Sequence, residues 1–178
     1  PDVDQCRNLG AGLARFHRSL DDFRMRRPND LSIAAWPKLW AGRAAEADAL
    51  TPGLSQQIDG DLDFLKANWP KTLPGGAIHA DLFPDNTFFL DGKLSGVIDF
   101  CFACNDFLAY DSAVCLNAWA FERRGEYNLT KGRALVAGYE SVRRLEPRER
   151  SALPVLCRGA AMRFFLTRLV DLASTPKD

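Results

Sequence analysis

Apolar residues recur at spacings of three and four along much of the chain, the pattern of helices that bury one face. The first such stretch runs from Asp2 to about Phe23 and predicts a long helix. Two shorter helices are predicted at Trp36 to Leu50 and Ser55 to Trp69. Thr51-Pro52-Gly53 separates these two helices, and Pro70 ends the second.

The pattern changes after Gly76, where the short apolar stretch Ala77-Ile78 precedes a polar run from His79 to Asn86 that proline interrupts. We interpret this run as a loop between strands. Thr87 to Leu90 and Lys93 to Phe100 are rich in β-forming residues, and Asp91-Gly92 between them favours a two-residue hairpin turn.

The helical pattern returns in the last part of the chain and predicts helices from Asp106 onward, at about Thr130 to Arg144 and at Pro147 to Ala173. The predicted fold class is therefore α+β, mostly helical with a small β-hairpin. Neither an internal repeat nor a long linker divides the sequence, so residues 1–178 are expected to form a single domain.

The charge balance restricts the kind of partner. The 23 Lys and Arg residues equal the 23 Asp and Glu residues, so no net field would attract nucleic acid or an anionic membrane. The sequence begins without a secretory signal, and no apolar run reaches the ~20 residues that span a bilayer. We expect a cytoplasmic protein whose partner is a small neutral or zwitterionic molecule.

Five cysteines at irregular spacing favour reduced, packed thiols over a disulfide framework. Cys101 and Cys104 form a single C-x-x-C pair. A structural zinc site usually has a second pair or a His pair, so metal or redox use of these thiols is the minor alternative.

The residues most suggestive of chemistry are Asp81, Asn86 and Asp99, in the runs His79 to Asn86 and Val97 to Phe100. Phosphoryl transfer from ATP requires a group that orients or deprotonates the acceptor hydroxyl, and oxygen ligands for Mg²⁺. Asp81 could do the first. Asn86 and Asp99 could approach one cation from opposite sides, and Mg²⁺ prefers a few such ligands together with water and phosphate oxygens.

These residues also carry a family resemblance. The pattern H-x-D-x-x-x-x-N followed by I-D-F resembles the catalytic loop and metal motif of protein kinases and their small-molecule relatives. Ala80, with Asp99-Phe100-Cys101 in place of D-F-G, is similar to the aminoglycoside, choline and homoserine kinase branch. The longer runs 79–89, 96–106 and 110–119 closely resemble the homoserine kinase version, and the likeness extends over nearly the whole chain.

The resemblance implies the mostly helical C-terminal lobe of a protein-kinase-like, aminoglycoside phosphotransferase-like fold. It makes Asp81 the catalytic base, Asn86 and Asp99 the ligands of Mg²⁺ and hence of ATP, and His79 a residue that orders the loop. Asp111 would hydrogen-bond the backbone of the same loop. The implied reaction transfers the γ-phosphoryl group of ATP to the side-chain hydroxyl of L-homoserine, a step of threonine biosynthesis.

An amino-acid acceptor needs a cation for its carboxylate and an acidic or carbonyl oxygen for its ammonium group. Arg163 and Arg168 lie in an apolar helix, where a guanidinium is costly unless it is paired or reaches water. Asp106, Asn117 and Glu122 flank the helix after the metal motif, although each has a capping or surface alternative. We treat Asp106, Asn117, Arg163 and Arg168 as candidate substrate-binding residues.

Two further polar residues have simpler interpretations. Asp85 lies between Pro84 and Asn86, where a turn-capping role is favoured over a catalytic one. His17 lies beside Phe16 on the first helix, where a packed histidine is favoured.

Kinases of this type also need a Gly-rich loop and a strand lysine over the phosphates, usually from a smaller N-terminal β lobe. Neither occurs in this sequence, so we expect a C-terminal lobe that lacks its ATP-binding lobe and does not turn over ATP alone. The alternatives are transfer to another alcohol, such as choline or an aminoglycoside, and a non-catalytic small-molecule-binding domain of the same fold.

Overall fold

The computed structural model describes residues 1–174. Within them, helices and strands follow in the order α1 (Val3–Ser19), α2 (Trp36–Trp40), α3 (Ala44–Leu50), α4 (Leu54–Asn68), β1 (Gly75–Ile78), β2 (Thr87–Leu90), β3 (Lys93–Val97), β4 (Cys104–Phe107), α5 (Leu108–Trp119), α6 (Leu129–Glu140) and α7 (Pro147–Ser174). The predicted α+β class is confirmed.

Helix α1 begins with a capping box. The Asp2 carboxylate accepts from the Gln5 amide at 2.7 Å, and the Gln5 side chain accepts from the Asp2 amide at 2.9 Å. The helix ends at Ser19, so the prediction that it continues to about Phe23 was too long. Its buried stripe includes Cys6, Leu9 and Leu13, as the spacing predicted.

Glycines let α1 and α6 approach at backbone distance. A Cβ added at Gly10 would lie 2.0 Å from the Leu135 carbonyl oxygen, and one at Gly138 would lie 2.0 Å from the Arg7 carbonyl oxygen. Neither position has room for a side chain, so this contact depends on both glycines.

The prediction of one helix from Trp36 to Leu50 was wrong. The chain forms α2 and α3 instead, and Gly42 between them adopts a left-handed backbone with φ of 75°. Residues of α2, α4 and α7 form a small second core beside the main one: Trp36, Ile58, Leu65, Met162 and Leu166.

The predicted hairpin is present as β2 and β3, with Thr87 opposite Val97. Strand β3 ends at Val97 rather than at Phe100, because Asp99 turns the chain with a left-handed φ of 62°. A second antiparallel pair joins β1 to β4, with Ile78 opposite Cys104. Strand β4 was not predicted, and the prediction of a helix from Asp106 was wrong, because Asp106 pairs in this strand and the helix begins at Leu108.

Helix α5 lies at the centre of the main core and is buried on every side from Leu108 to Leu116. It packs against α1, α6, α7 and β1. The loop of residues 79–86, here called the 79–86 loop, leaves β1 at the buried N-terminal half of this helix. No helix in residues 1–174 is long and apolar enough to cross a membrane.

Candidate active site

The 79–86 loop is held at its start by Asp111 of α5. The Asp111 carboxylate accepts from the backbone amides of His79 at 2.9 Å and Ala80 at 2.8 Å. Ala80 has a left-handed φ of 63°, which is unfavourable for a residue with a Cβ atom. The two hydrogen bonds stabilise this turn and thereby fix the position of the backbone of the next residue, Asp81.

Asp111 is fully buried and has a second partner in α1. His17 Nε2 lies 3.0 Å from its carboxylate, and His17 Nδ1 lies 2.8 Å from the Tyr139 hydroxyl. Burial raises the pKa of Asp111, but the hydrogen bonds from His17 and from the two amides outweigh this and lower it below its usual value. His17 is thus a packed, hydrogen-bonded core residue, as expected.

Asp81 is half-buried, with hydrogen-bonding groups on two sides. Arg163 Nη1 donates to the Ala80 carbonyl at 3.1 Å and lies 3.4 Å from Asp81 Oδ1. Asn86 Nδ2 donates to the Asp81 carbonyl at 2.8 Å and lies 3.4 Å from Asp81 Oδ2. Burial raises the pKa of the Asp81 carboxyl above its usual value, although Arg163 opposes the shift.

The end of β3 is tied to the same loop. The Ile98 amide donates to the Asn86 carbonyl at 3.1 Å, and His79 Nε2 lies 3.0 Å from the Ile98 carbonyl. Asp99 follows directly, exposed, with its carboxylate accepting from the Cys101 amide at 3.3 Å. The two chain segments that carry Asn86 and Asp99 are therefore hydrogen-bonded together.

The oxygen atoms available here fit a magnesium ion. Because the Asn86 amide nitrogen points to Asp81, its amide oxygen is the group that could face a cation, and the exposed Asp99 carboxylate adds a charged oxygen. Mg²⁺ is held by such sparse oxygen sets rather than by protein cages. Among the described residues, no group of three or more His, Cys, Asp or Glu is placed to hold a metal.

The C-x-x-C pair is split between surface and core. Cys101 is exposed, whereas Cys104 is buried, and both thiols are free. The neighbouring Asp99 carboxylate raises the pKa of Cys101, and burial raises the pKa of Cys104 to about 12. Both thiols therefore favour the protonated form, which is a poor metal ligand. The expectation of packed thiols was wrong for Cys101.

A small cleft of about 30 Å³ lies beside Asp81, lined by the buried Arg163. The Arg163 guanidinium carbon lies 4.0 Å from the ring centre of Phe164 and 4.7 Å from that of Phe102. The rest of the lining is Arg27, Pro28, Asn29, Asp30, Leu31, Ala80, Cys104 and Tyr110. Asp106 adjoins this lining, since its carboxylate accepts from Asn29 Nδ2 at 2.6 Å.

The segment 27–31 and Tyr110 were missed as possible site residues. Arg27 Nη1 donates to the Cys101 carbonyl at 2.7 Å, and Pro28 bridges to Asn105, so the segment runs along β4. Sequence spacing gave no signal for this long-range pairing. Tyr110 occupies an apolar helical position and therefore looks like a core residue.

Two of the four candidate substrate residues lie elsewhere. Asn117 and Arg168 line a different pocket of about 520 Å³, with Phe83 and Phe164. The Asn117 amide already donates to the Cys157 carbonyl at 2.7 Å. The structure thus brings Arg163 and Asp106 to the cleft beside Asp81 and leaves Asn117 and Arg168 outside its lining, where a substrate role stays a prediction.

Sequence comparison finds close relatives. A model of the phosphotransferase enzyme family matches residues 2–145. The chain is 58% identical over 177 residues to a homoserine kinase of Rhizobium etli (strain CIAT 652), covering 99% of this chain and 55% of that protein. It is 59% identical, with the same coverage, to a homoserine kinase of Xanthobacter autotrophicus (strain ATCC BAA-1158 / Py2). The chain therefore spans about half the length of these curated relatives.

Solved structures share the fold at low sequence identity. An aminoglycoside-3'-phosphotransferase of type VIII superposes with a TM-score of 0.66 at 19% identity, over 91% of this chain and 61% of that one. An amicoumacin kinase, solved with AMP-PNP, Ca²⁺ and Ami, superposes with a TM-score of 0.66 at 14% identity, over 99% and 55%. A choline/ethanolamine kinase family protein from Mesorhizobium loti gives 0.62 at 17% identity, over 94% and 53%.

Proposed function

Because the chain belongs to the phosphotransferase enzyme family, we propose that it is the acceptor-binding lobe of a kinase that phosphorylates the side-chain hydroxyl of L-homoserine with ATP. The high identity to curated homoserine kinases over 99% of the chain supports the choice of acceptor. The product would be an intermediate of threonine biosynthesis, and a cytoplasmic location is expected for a reaction of ATP with a free amino acid.

The observation that best supports this proposal is the position of Asp81. Its backbone follows the turn that Asp111 holds, and its carboxylate lies between Arg163 and Asn86. In the proposed reaction Asp81 accepts a hydrogen bond from the acceptor hydroxyl and aims its oxygen at the γ-phosphorus. The proton then passes to Asp81 as the new phosphate ester bond forms and ADP leaves.

His79 and Asp111 are proposed to act through the loop rather than on the substrate. His79 joins the loop to the end of β3, and Asp111 holds the amides of His79 and Ala80. Asn86 and Asp99 are proposed to hold magnesium, which when bound neutralises charge on the phosphates of ATP. Arg163 and Asp106 are the candidates nearest to the acceptor.

Residues 1–178 are proposed to form one C-terminal lobe. The remaining length of the homologous proteins would then supply the Gly-rich loop and the lysine that contact the phosphates. The support is that the curated relatives are nearly twice as long as the matched region, which covers 55% of each.

The test is ADP release by the full-length protein with ATP and Mg²⁺, with L-homoserine, choline and an aminoglycoside offered as acceptors in parallel. Release with homoserine alone is expected. Release with only another acceptor would reassign the substrate. No release with any of them, from a protein that still binds nucleotide, would favour a binding domain without turnover.

A further inference from the structure

The Tyr110 hydroxyl is a buried polar group without a hydrogen-bond partner among residues 1–174. Tyr110 is only 2% exposed, and its ring packs edge-on against Trp69 at 5.9 Å. Buried hydroxyls are almost always hydrogen-bonded in native proteins, because an unpaired one loses its bonds to water. An unpaired hydroxyl at this position therefore needs an explanation.

Tyr110 lines the cleft beside Asp81, and so does Arg163. Burial raises the pKa of the Tyr110 phenol, with the Arg163 charge opposing the shift, so the hydroxyl stays protonated and can donate. A proton donor and a guanidinium therefore line one small cleft, and both favour an anion.

Arg163 retains hydrogen-bonding capacity. A guanidinium has five N–H groups, and the hydrogen bonds described above involve only Nη1. The 3.4 Å separation from Asp81 Oδ1 is longer than a usual charge-assisted hydrogen bond. A second anion could therefore bind this cation without displacing Asp81.

We propose that Tyr110 and Arg163 form the subsite that binds the α-carboxylate of the amino-acid acceptor, a step that rests on the proposed kinase function. Tyr110 donates its hydroxyl proton and Arg163 offers its guanidinium. The cleft is small, with a volume of about 30 Å³, so only a small group of the acceptor would enter it. Asp30 lines the same cleft and offers a negative charge to the α-ammonium group.

The proposed subsite also lies close to Asp81. Arg163 contacts both the cleft and Asp81, so a carboxylate held there leaves the short hydroxyalkyl side chain of the acceptor to extend toward the catalytic carboxylate. Recognition of the carboxylate would thus select amino acids over simple alcohols.

The test uses two acceptors that differ only in the carboxylate, L-homoserine and 3-aminopropan-1-ol, with the full-length protein. The ratio of kcat/KM for the two is measured in the wild type and in Tyr110→Phe. The ratio is expected to fall by about tenfold or more, mainly through KM for homoserine, because a hydrogen bond to a charged group is lost. Tyr127→Phe, the same change at a half-exposed site, should keep the wild-type ratio.

Thermal unfolding separates binding from a structural role. Since the Tyr110 hydroxyl has no hydrogen-bond partner within residues 1–174, Tyr110→Phe without ligand should unfold at a midpoint no lower than that of the wild type. A lower midpoint, or an equal loss of kcat/KM for both acceptors, would overturn the proposal.

Failure of the kinase function gives a different result. If the wild type phosphorylates neither acceptor, calorimetric titration with the same two compounds tests the subsite directly. A preference for homoserine that Tyr110→Phe abolishes would support the subsite. Equal binding of the two compounds, or no binding of homoserine, would overturn it.

Discussion

Arg163 Nη1 lies 3.4 Å from Asp81 Oδ1, so helix α7 supplies the countercharge of a carboxylate that lies in the loop after β1. The same nitrogen donates to the Ala80 carbonyl at 3.1 Å. Arg163 therefore contacts both the backbone and the carboxylate of the 79–86 loop, and its removal should affect folding and activity together.

Replacement of Arg163 by Leu should lower the free energy of unfolding by about 2 kcal/mol, because Asp81 Oδ1 and the Ala80 carbonyl lose the guanidinium that donates to them. Chemical denaturation of the full-length protein measures this loss. Arg163→Lys keeps the positive charge and should lose less of the free energy of unfolding than Arg163→Leu. Equal stability of Arg163→Leu and the wild type would contradict the role given to this contact.

Asp81→Asn should reduce kcat by about 10²- to 10⁴-fold, the usual contribution of a general base, and should still fold, because the Asn side chain keeps an oxygen to which Arg163 can donate. The matched control is Asp85→Asn, an exposed carboxylate in the same loop, which should retain wild-type kcat. ADP release at saturating ATP and homoserine measures both. A wild-type kcat in Asp81→Asn would rule out its role as the base.

Asp99→Asn should raise the Mg²⁺ concentration for half-maximal activity by at least about tenfold, because a charged oxygen ligand becomes a neutral one. Asp91→Asn is the control. Both aspartates have a left-handed φ, which Asn tolerates, so neither change strains the backbone. Identical Mg²⁺ curves for the two variants would argue against Asp99 as a ligand.

Asp111→Asn should destabilise the fold by about 3 kcal/mol near neutral pH, since one charged acceptor of three buried hydrogen bonds is lost. The pKa of Asp111 is lower in the folded than in the unfolded protein. Its stabilisation is therefore complete above the unfolded pKa of about 3.9 and is lost as the pH falls through the folded pKa. The difference in free energy of unfolding between the wild type and Asp111→Asn should therefore shrink below about pH 4.

Urea denaturation of the wild type and of Asp111→Asn at a series of pH values measures this gap. The comparison below pH 5 is the informative part, because the pKa of Asp111 in the unfolded protein lies there. A gap that stays constant from pH 7 to pH 3 would show that the charge of Asp111 contributes nothing.

Local patterns were enough for much of the fold. The Asp91-Gly92 turn predicted the β2–β3 hairpin, and the apolar stripe predicted α1. Both patterns involve residues that are close together in the sequence. Strand β4 depends on pairing with β1 across 25 or more residues, as between Ile78 and Cys104, and such pairing leaves no local pattern.

The candidate site was predictable where chemistry and spacing agree. Asp81, Asn86 and Asp99 could be selected because their oxygen atoms suit phosphoryl transfer at a spacing that a loop and one hairpin can bridge. Arg163 was a candidate only because a guanidinium is costly in an apolar helix. Nothing in the sequence indicated that Asp81 is its partner. Tyr110 gave no signal in the sequence, because only the folded structure reveals that its hydroxyl lacks a partner in the part of the chain that the structure describes.

The left-handed backbone of Ala80 has a consequence for protein engineering. A residue with a Cβ atom in this conformation costs roughly 1–2 kcal/mol, and here the amides of His79 and Ala80 donate two hydrogen bonds to Asp111 that hold it in place. The eight residues of the loop would thus relax to another shape if they were grafted alone onto a new scaffold. A successful transplant has to carry the helix with Asp111 as well, which makes loop and helix one inseparable part.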